Sequence, residues 1–259
     1  MCTLTILPRS DTGSTNRGAR LVFNRDEQRT RTPGTAPSLE QHGECWALLP
    51  RDPEGGGTWI AASDQGIAFS LLNVNPTESS AATAGGVSRG SIIPELISAN
   101  SLREVECRLP EVALAVKRPF RLVVTDGSSI LETIGASGSV ECRHHPLDRP
   151  FMRSSSGLGD AVVAPMRIKA FEHTFSSETT DQVAAQDTFH RLRFPEHDEC
   201  SIDMSRKDAF TVSWTVIELG AQMLRMIHYS APPRDQSLPV ELQLNLSGRP
   251  DSPTGAIAQ

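Results

Sequence analysis

The sequence predicts an α+β fold: one layered sandwich whose sheets carry helices on their outer faces. Three observations lead there. Strand-like runs punctuated by Gly, Pro, Asp and Asn fill the first third of the chain. Segments with helical apolar spacing come later, in two pairs separated by further strands. No boundary within residues 1–231 has a linker long enough to separate one domain from another.

The elements follow in order. "CTLTIL", "ARLVFN", "CWALLP", "TWIAAS" and "IAFSLLN" read as strands, and Gly55 to Gly57 supply backbone freedom to a turn that feeds "TWI". "SIIPELISAN" and "SLREVECRL" place apolar residues at helical spacing, with Ser91 and Ser101 as expected N-caps. Strands return at "FRLVVTD", "SILETIGA" and "SVECRH". After Pro150, "GDAVVAPMRIKAFEHTF" and "TTDQVAAQDTFHRL" read as helices, the first starting near Asp160. "AFTVSWTVIELGAQMLRMIHYS" predicts two strands joined across Gly220. There Thr211, Ser213 and Thr215 alternate with Val212, Trp214 and Val216, the period of a strand covered unequally on its two faces. Residues 232–259, rich in Pro, Ser, Gln and Gly, predict a loosely ordered tail.

Composition narrows function. A hydrophobic content of 38% and a charged content of 22% fit a globular chain and exclude wholesale disorder. The net charge of -6, with no Lys/Arg run, argues against a nucleic-acid partner. No apolar stretch suits a secretion signal or a membrane span, so a cytoplasmic location is expected. Five cysteines at irregular spacing, with no C-x-x-C, suit reduced thiols rather than a disulfide framework. The nucleophile-elbow, zincin, P-loop and dinucleotide signatures are all missing. Neither His190, His197 and Cys200 nor Cys142, His144 and His145 has a usual zinc spacing, so no metal and no cofactor are expected. Homo-oligomerisation is left open.

The chemistry-bearing residues cluster near the start. Cys2 follows the initiator directly, and aminopeptidases remove Met1 when the next side chain is small. Cys2 would then carry a thiol and a free α-amine, whose pKa of about 7.7–8.0 leaves a fraction of it neutral near pH 7. Nucleophile and base become one residue. Taken alone, Cys2 reads as the start of a buried edge strand. A second cluster, Asn24-Arg25-Asp26-Glu27, ends the strand "RLVF", which is expected beside the first. Arg25 would favour the thiolate, and Asp26 would orient the α-amine. In a regular strand these two point to opposite faces, so both reach Cys2 only if the strand ends or bulges there. Asn73 closes "IAFSLLN"; its amide either donates to a developing oxyanion, worth roughly 10²–10³ in turnover, or bonds its own backbone in a turn.

"MC", "FNRDE", "GGTWI" and G-x-A-x-x-x-x-N, all within residues 2 to 75, closely resemble the NRDE proteins, also called the transport and Golgi organization 2 family. "SSSGLGD" and "SRKDAFTVSWTV" resemble its bacterial branch more loosely. The resemblance implies a four-layer αββα sandwich of the N-terminal nucleophile hydrolase type. Related cysteine amidases, similar to penicillin V acylase and bile salt hydrolase, use an N-terminal Cys, an Arg and an Asp shortly after, and Asn residues for the oxyanion. Those roles fall on Cys2, Arg25, Asp26 and Asn73. The amidases separate Arg from Asp by two residues, whereas here they are adjacent. Their second Asn meets Ser155 or Ser156, and their late Arg meets Arg206. Asn24, Trp59, Ser156 and Arg206 are assigned to the substrate side. Two functions follow: hydrolysis of a linear amide in a small acylated substrate, or non-catalytic carriage of an apolar ligand such as haem or lipid.

Overall fold

A computed structural model describes residues 2–10, 17–75, 87–116, 118–136 and 138–246. Its strands form two antiparallel sheets. The first contains β1 (Cys2–Ser10), β2 (Arg17–Gln28), β10 (Phe151–Ser155), β11 (Ala209–Leu219), β12 (Met223–Tyr229) and β13 (Val240–Asn245), in the order β10-β1-β2-β11-β12-β13. The second is a meander in chain order: β3 (Ser38–His42), β4 (Cys45–Leu49), β5 (Ile60–Ser63), β6 (Ile67–Asn73), β7 (Phe120–Thr125), β8 (Ser129–Ala136) and β9 (Ser139–Pro146).

Period-two alternation decides what lies between the sheets. Leu4, Ile6, Leu21 and Phe23 of the first sheet meet Ile60, Ala62, Ala68 and Val123 of the second in one buried core. The second sheet's other face, with Phe69, Leu122 and Leu131, is covered by α1 (Ile92–Leu96) and α2 (Leu102–Leu114) through Ile93, Leu96, Val105 and Leu109. The first sheet's other face carries α3 (Asp160–Thr174) and α4 (Gln182–His190), where Met152, Phe189 and Ile202 cluster. The layers are therefore α-β-β-α, as expected.

One local expectation holds and several need correction. Ser101 caps α2 by accepting from the Glu104 N–H at 3.2 Å. Ser91 does not cap α1; a 3-10 turn over Arg89–Ser91 precedes that helix, and Ser88 caps the turn. The strands β3 and β10 went unrecognised because "SLEQH" and "FMRSS" are short and largely polar, without the apolar run that marks β4 and β5. The tail departs most. The Arg234 N–H donates to Asp203 Oδ2 at 3.0 Å, and β13 pairs with β12 from Met223↔Asn245 to His228↔Val240. The physical reason is that β12 would otherwise be a bare edge, and alternating Val240, Leu242 and Leu244 can cover it. Residues 247–259 lie outside the described residues.

Candidate active site

Register builds the site. β1 pairs with β2 so that Cys2 faces Arg25, and with β10 so that Cys2 faces Ser155. Directly opposite residues share a face, so Cys2, Arg25 and Ser155 all look between the sheets. At the open end of that layer Cys2, Arg25, Asp26, Trp59 and Asn73 line a cleft of about 510 Å³.

β2 runs on to Gln28 without the end or bulge that would bring both Arg25 and Asp26 to Cys2; the irregularity lies in the partner strand. β11 shifts register between Thr211 and Ser213, opposite Asp26 and Arg25. The side chain of Asp26 turns to the helix side, where the Thr211 hydroxyl donates to its Oδ1 at 2.6 Å and Arg167 Nη2 stands 3.9 Å from its Oδ2. Burial pushes the Asp26 carboxyl above its ordinary pKa, with the Arg167 charge as the largest opposing influence. Burial also pushes the Cys2 thiol up, so thiolate is scarce near neutral pH without a base.

Arg25 lies over the Trp59 ring, 4.0 Å from its centroid. Its Nη2 is 3.4 Å from Glu27 Oε2 and 3.7 Å from Asp52 Oδ2. Asp52 in turn accepts from Arg31 Nη2 at 2.6 Å. Burial acts to raise the Asp52 carboxyl, but the Arg31 bond and charge bring it below its ordinary value. Arg25 is thus already held among carboxylates. Gly34 leaves room for this stack, since a Cβ there would meet Trp59 Cη2 at 2.4 Å. Asn73 ends β6 opposite Phe120, and among the described residues nothing bonds its side-chain amide.

Residues 1–193 match the model of the family described as Transport and Golgi organisation 2. The chain belongs to that family. No curated protein matches it. Among solved structures, it is similar to penicillin V acylase from Agrobacterium tumefaciens, with a TM-score of 0.52 at 10% identity over 95% of this chain and 86% of that one. A second is the C2A mutant of conjugated bile acid hydrolase from Clostridium perfringens, with a TM-score of 0.49 at 9% identity over 95% of each chain. The penicillin V acylase has an N-terminal nucleophile hydrolase fold, and this member of the Transport and Golgi organisation 2 family shares that fold.

In this family member three residues assigned to the substrate side stand elsewhere. Asn24 alternates away from the cleft and is wholly buried, donating to the carbonyls of His190 and Ile202 at 2.9 and 3.0 Å. Ser156 sits one residue beyond β10 and serves the turn into α3: its N–H donates to Asp160 Oδ1 at 2.7 Å, and its hydroxyl accepts from the Leu158 N–H at 3.2 Å. Ser155, not Ser156, lies across from Cys2. Arg206 bonds Asp208 through Nε and Nη2, both at 3.0 Å, and does not line the cleft.

Sequence reasoning also missed cleft residues. Asp52 and Arg31 brace Arg25, and Arg89 and Arg118 add two more cations. Nothing local marks any of these four as functional. One signal for Arg89 was available in the glycines. Gly57 packs directly on Gly90, where a Cβ on Gly57 would come within 2.3 Å of the Gly90 carbonyl carbon. The Thr58 N–H donates to the Gly90 oxygen at 3.0 Å. The "GGGT" stretch therefore pins the turn that carries Arg89.

Proposed function

We propose that this chain is a cysteine-dependent hydrolase that cleaves a linear amide in a small acylated substrate. The observation supporting this reading is the strand register that sets Cys2 opposite Arg25, in a polar cleft whose lining also includes Asn73. Release of Met1 would give Cys2 the α-amine that its buried thiol needs as a base. The Cys2 sulfur then bonds to the substrate carbonyl carbon while its α-amine takes the thiol proton. The Asn73 amide donates to the oxyanion. Collapse breaks the C–N bond, and the α-amine passes its proton to the leaving amine. Water next attacks the thioester and gives a proton to the α-amine. The C–S bond breaks, the acid leaves, and the thiol is restored. Asp26, its side chain held on the helix side by Thr211 and Arg167, would act on the α-amine through its charge, which is felt at the chain start.

The carrier reading draws less support, because Trp59, Leu71 and Val87 are the chief apolar contributors to a cleft otherwise rich in charge. A haem or lipid would want a largely apolar wall.

The test begins with the intact mass of the untagged protein, expected to lack Met1. Wild type should then release amine from an N-acyl amide, and Cys2→Ala should lose at least about 10³-fold in turnover. Full activity in Cys2→Ala would sink the proposal.

A further inference from the structure

The charges that line the cleft do not balance locally. Arg25, Arg31, Arg89 and Arg118 face Asp26, Glu27 and Asp52. Glu27 and Asp52 are engaged by Arg25 and Arg31, at separations between 2.6 and 3.7 Å. Asp26 is engaged from the helix side by Thr211 and Arg167. Among the described residues, no carboxylate lies within ion-pair distance of Arg89 or Arg118.

Arg89 is half-buried and makes one hydrogen bond, from Nη1 to the Pro119 carbonyl at 3.1 Å. Desolvation pulls its pKa down, and the nearby charge of Arg118 adds to the effect. A partly buried guanidinium without a counter-charge is costly, yet the Gly57–Gly90 contact holds its turn in place. The whole chain carries a net charge of -6, so an anion has no general attraction to this molecule. What attraction there is must be local.

We propose that the cleft selects amides bearing a terminal oxyanion group, carboxylate or phosphate, which Arg89 and Arg118 grip while the carbonyl lies at Cys2. Guanidinium forks match both groups in a bidentate manner. The anion site stands on the two arginines; only its catalytic consequence rests on the hydrolase reading.

The experiment separates the two. Cys2→Ala protein is titrated calorimetrically with N-hexanoylglycine, the neutral N-hexanoylglycinamide, and N-hexanoyl phosphoethanolamine, and wild type is assayed for turnover of all three. At least one anion should bind about 10-fold or more tighter than the glycinamide. Adding Arg89→Gln or Arg118→Gln should collapse that preference towards one, and Arg89→Lys should restore some of it. Because Arg118 is exposed, its variant keeps the test open if Arg89→Gln folds poorly. The stronger of the two anions distinguishes a carboxylate-bearing from a phosphate-bearing substrate. Preference without turnover would leave the anion site standing and remove the hydrolase reading. Turnover with equal use of acid and glycinamide, insensitive to both arginine variants, would do the reverse. Absence of binding by all three compounds would overturn the anion site.

Discussion

The two faces of β2 treat their polar side chains in opposite ways. On the helix side, polar groups are tied to one another. Arg20 donates to Gln186 and Asp187, both at 2.7 Å. Asn24 bonds two carbonyls and shares a 2.9 Å contact with His190 Nδ1, while His190 Nε2 meets the Thr5 hydroxyl at 2.7 Å. On the cleft side, the Ser155 and Ser213 hydroxyls, which flank Cys2 and Arg25, and Trp59 Nε1 have no hydrogen-bond partner among the described residues. Arg20 Nε aside, the helix-side contacts are closed among protein groups and hold the layers together, whereas the inter-sheet side keeps unpartnered polar atoms beside Cys2 and Arg25.

The sharpest way to break this comparison is to cut the saturated side. Arg167 of α3 is almost fully buried and donates to the Cys200 and Ser201 carbonyls and to the Thr3 hydroxyl at 3.0, 2.8 and 3.0 Å. Arg167→Met would strip those partners and leave Asp26 without its compensating cation. A loss of about 3–5 kcal/mol in unfolding free energy is expected, seen as a lower urea midpoint at unchanged slope. A loss below about 1 kcal/mol would mean the helix-side network is not what holds this face.

Acid should attack the same side more gently. Burial, helped by the Arg20 charge, holds the His190 pKa well below its ordinary 6.5. The unfolded chain therefore binds a proton that the folded chain refuses. The stabilisation is complete above about pH 6.5 and is lost as pH falls below it, at up to about 1.4 kcal/mol per pH unit. His228, on the other face of the sheet, is lowered by burial to about 4, so its share of the loss is spent near that pH. Stability measured by urea at successive pH values should show this slope, and the His190 ring resonance should show no titration around the ordinary histidine value. A folded protein with protonated His190 at pH 6 would contradict the assignment.

How much of this was legible depends on range. Alternation within "CTLTIL" and "RLVF" was enough to set Arg25 and Asp26 on opposite faces, because side-chain period is local. It did not say what would cover each face: Thr3 and Thr5 look solvent-facing in sequence, yet helices bury both completely. The choice between Ser155 and Ser156 rests on the pairing of β10 with β1, about 150 residues apart, and a one-residue change of register exchanges the faces. The bulge in β11 was equally hidden, since the geometric demand was visible only on β2. Arg89 and Arg118 belong to no motif. They reach the cleft because a glycine contact and the start of β7 bring their turns there, and no spacing rule encodes that.

The smallest expected effect sharpens the comparison most. Arg89 and Arg167 are the same residue type in partly and fully buried settings, and burial lowers the pKa of both. Arg167 gives three hydrogen bonds and stands near a carboxylate, whereas Arg89 gives one bond to a carbonyl. Removing Arg89 forfeits little, and it also relieves an uncompensated desolvation. Arg89→Gln should therefore change unfolding free energy by no more than about 0.5 kcal/mol. A saturating anion restores the asymmetry. At 100 times its dissociation constant it should stabilise the inactive Cys2→Ala protein by about 2.7 kcal/mol, and the same protein carrying Arg89→Gln, with its weakened site, by much less. Thermal melts of Cys2→Ala and of Cys2→Ala with Arg89→Gln, each with and without N-hexanoylglycine, read both quantities. A loss above about 2 kcal/mol in the ligand-free variant would make Arg89 a structural residue like Arg167, and the two faces would then differ in degree rather than in kind.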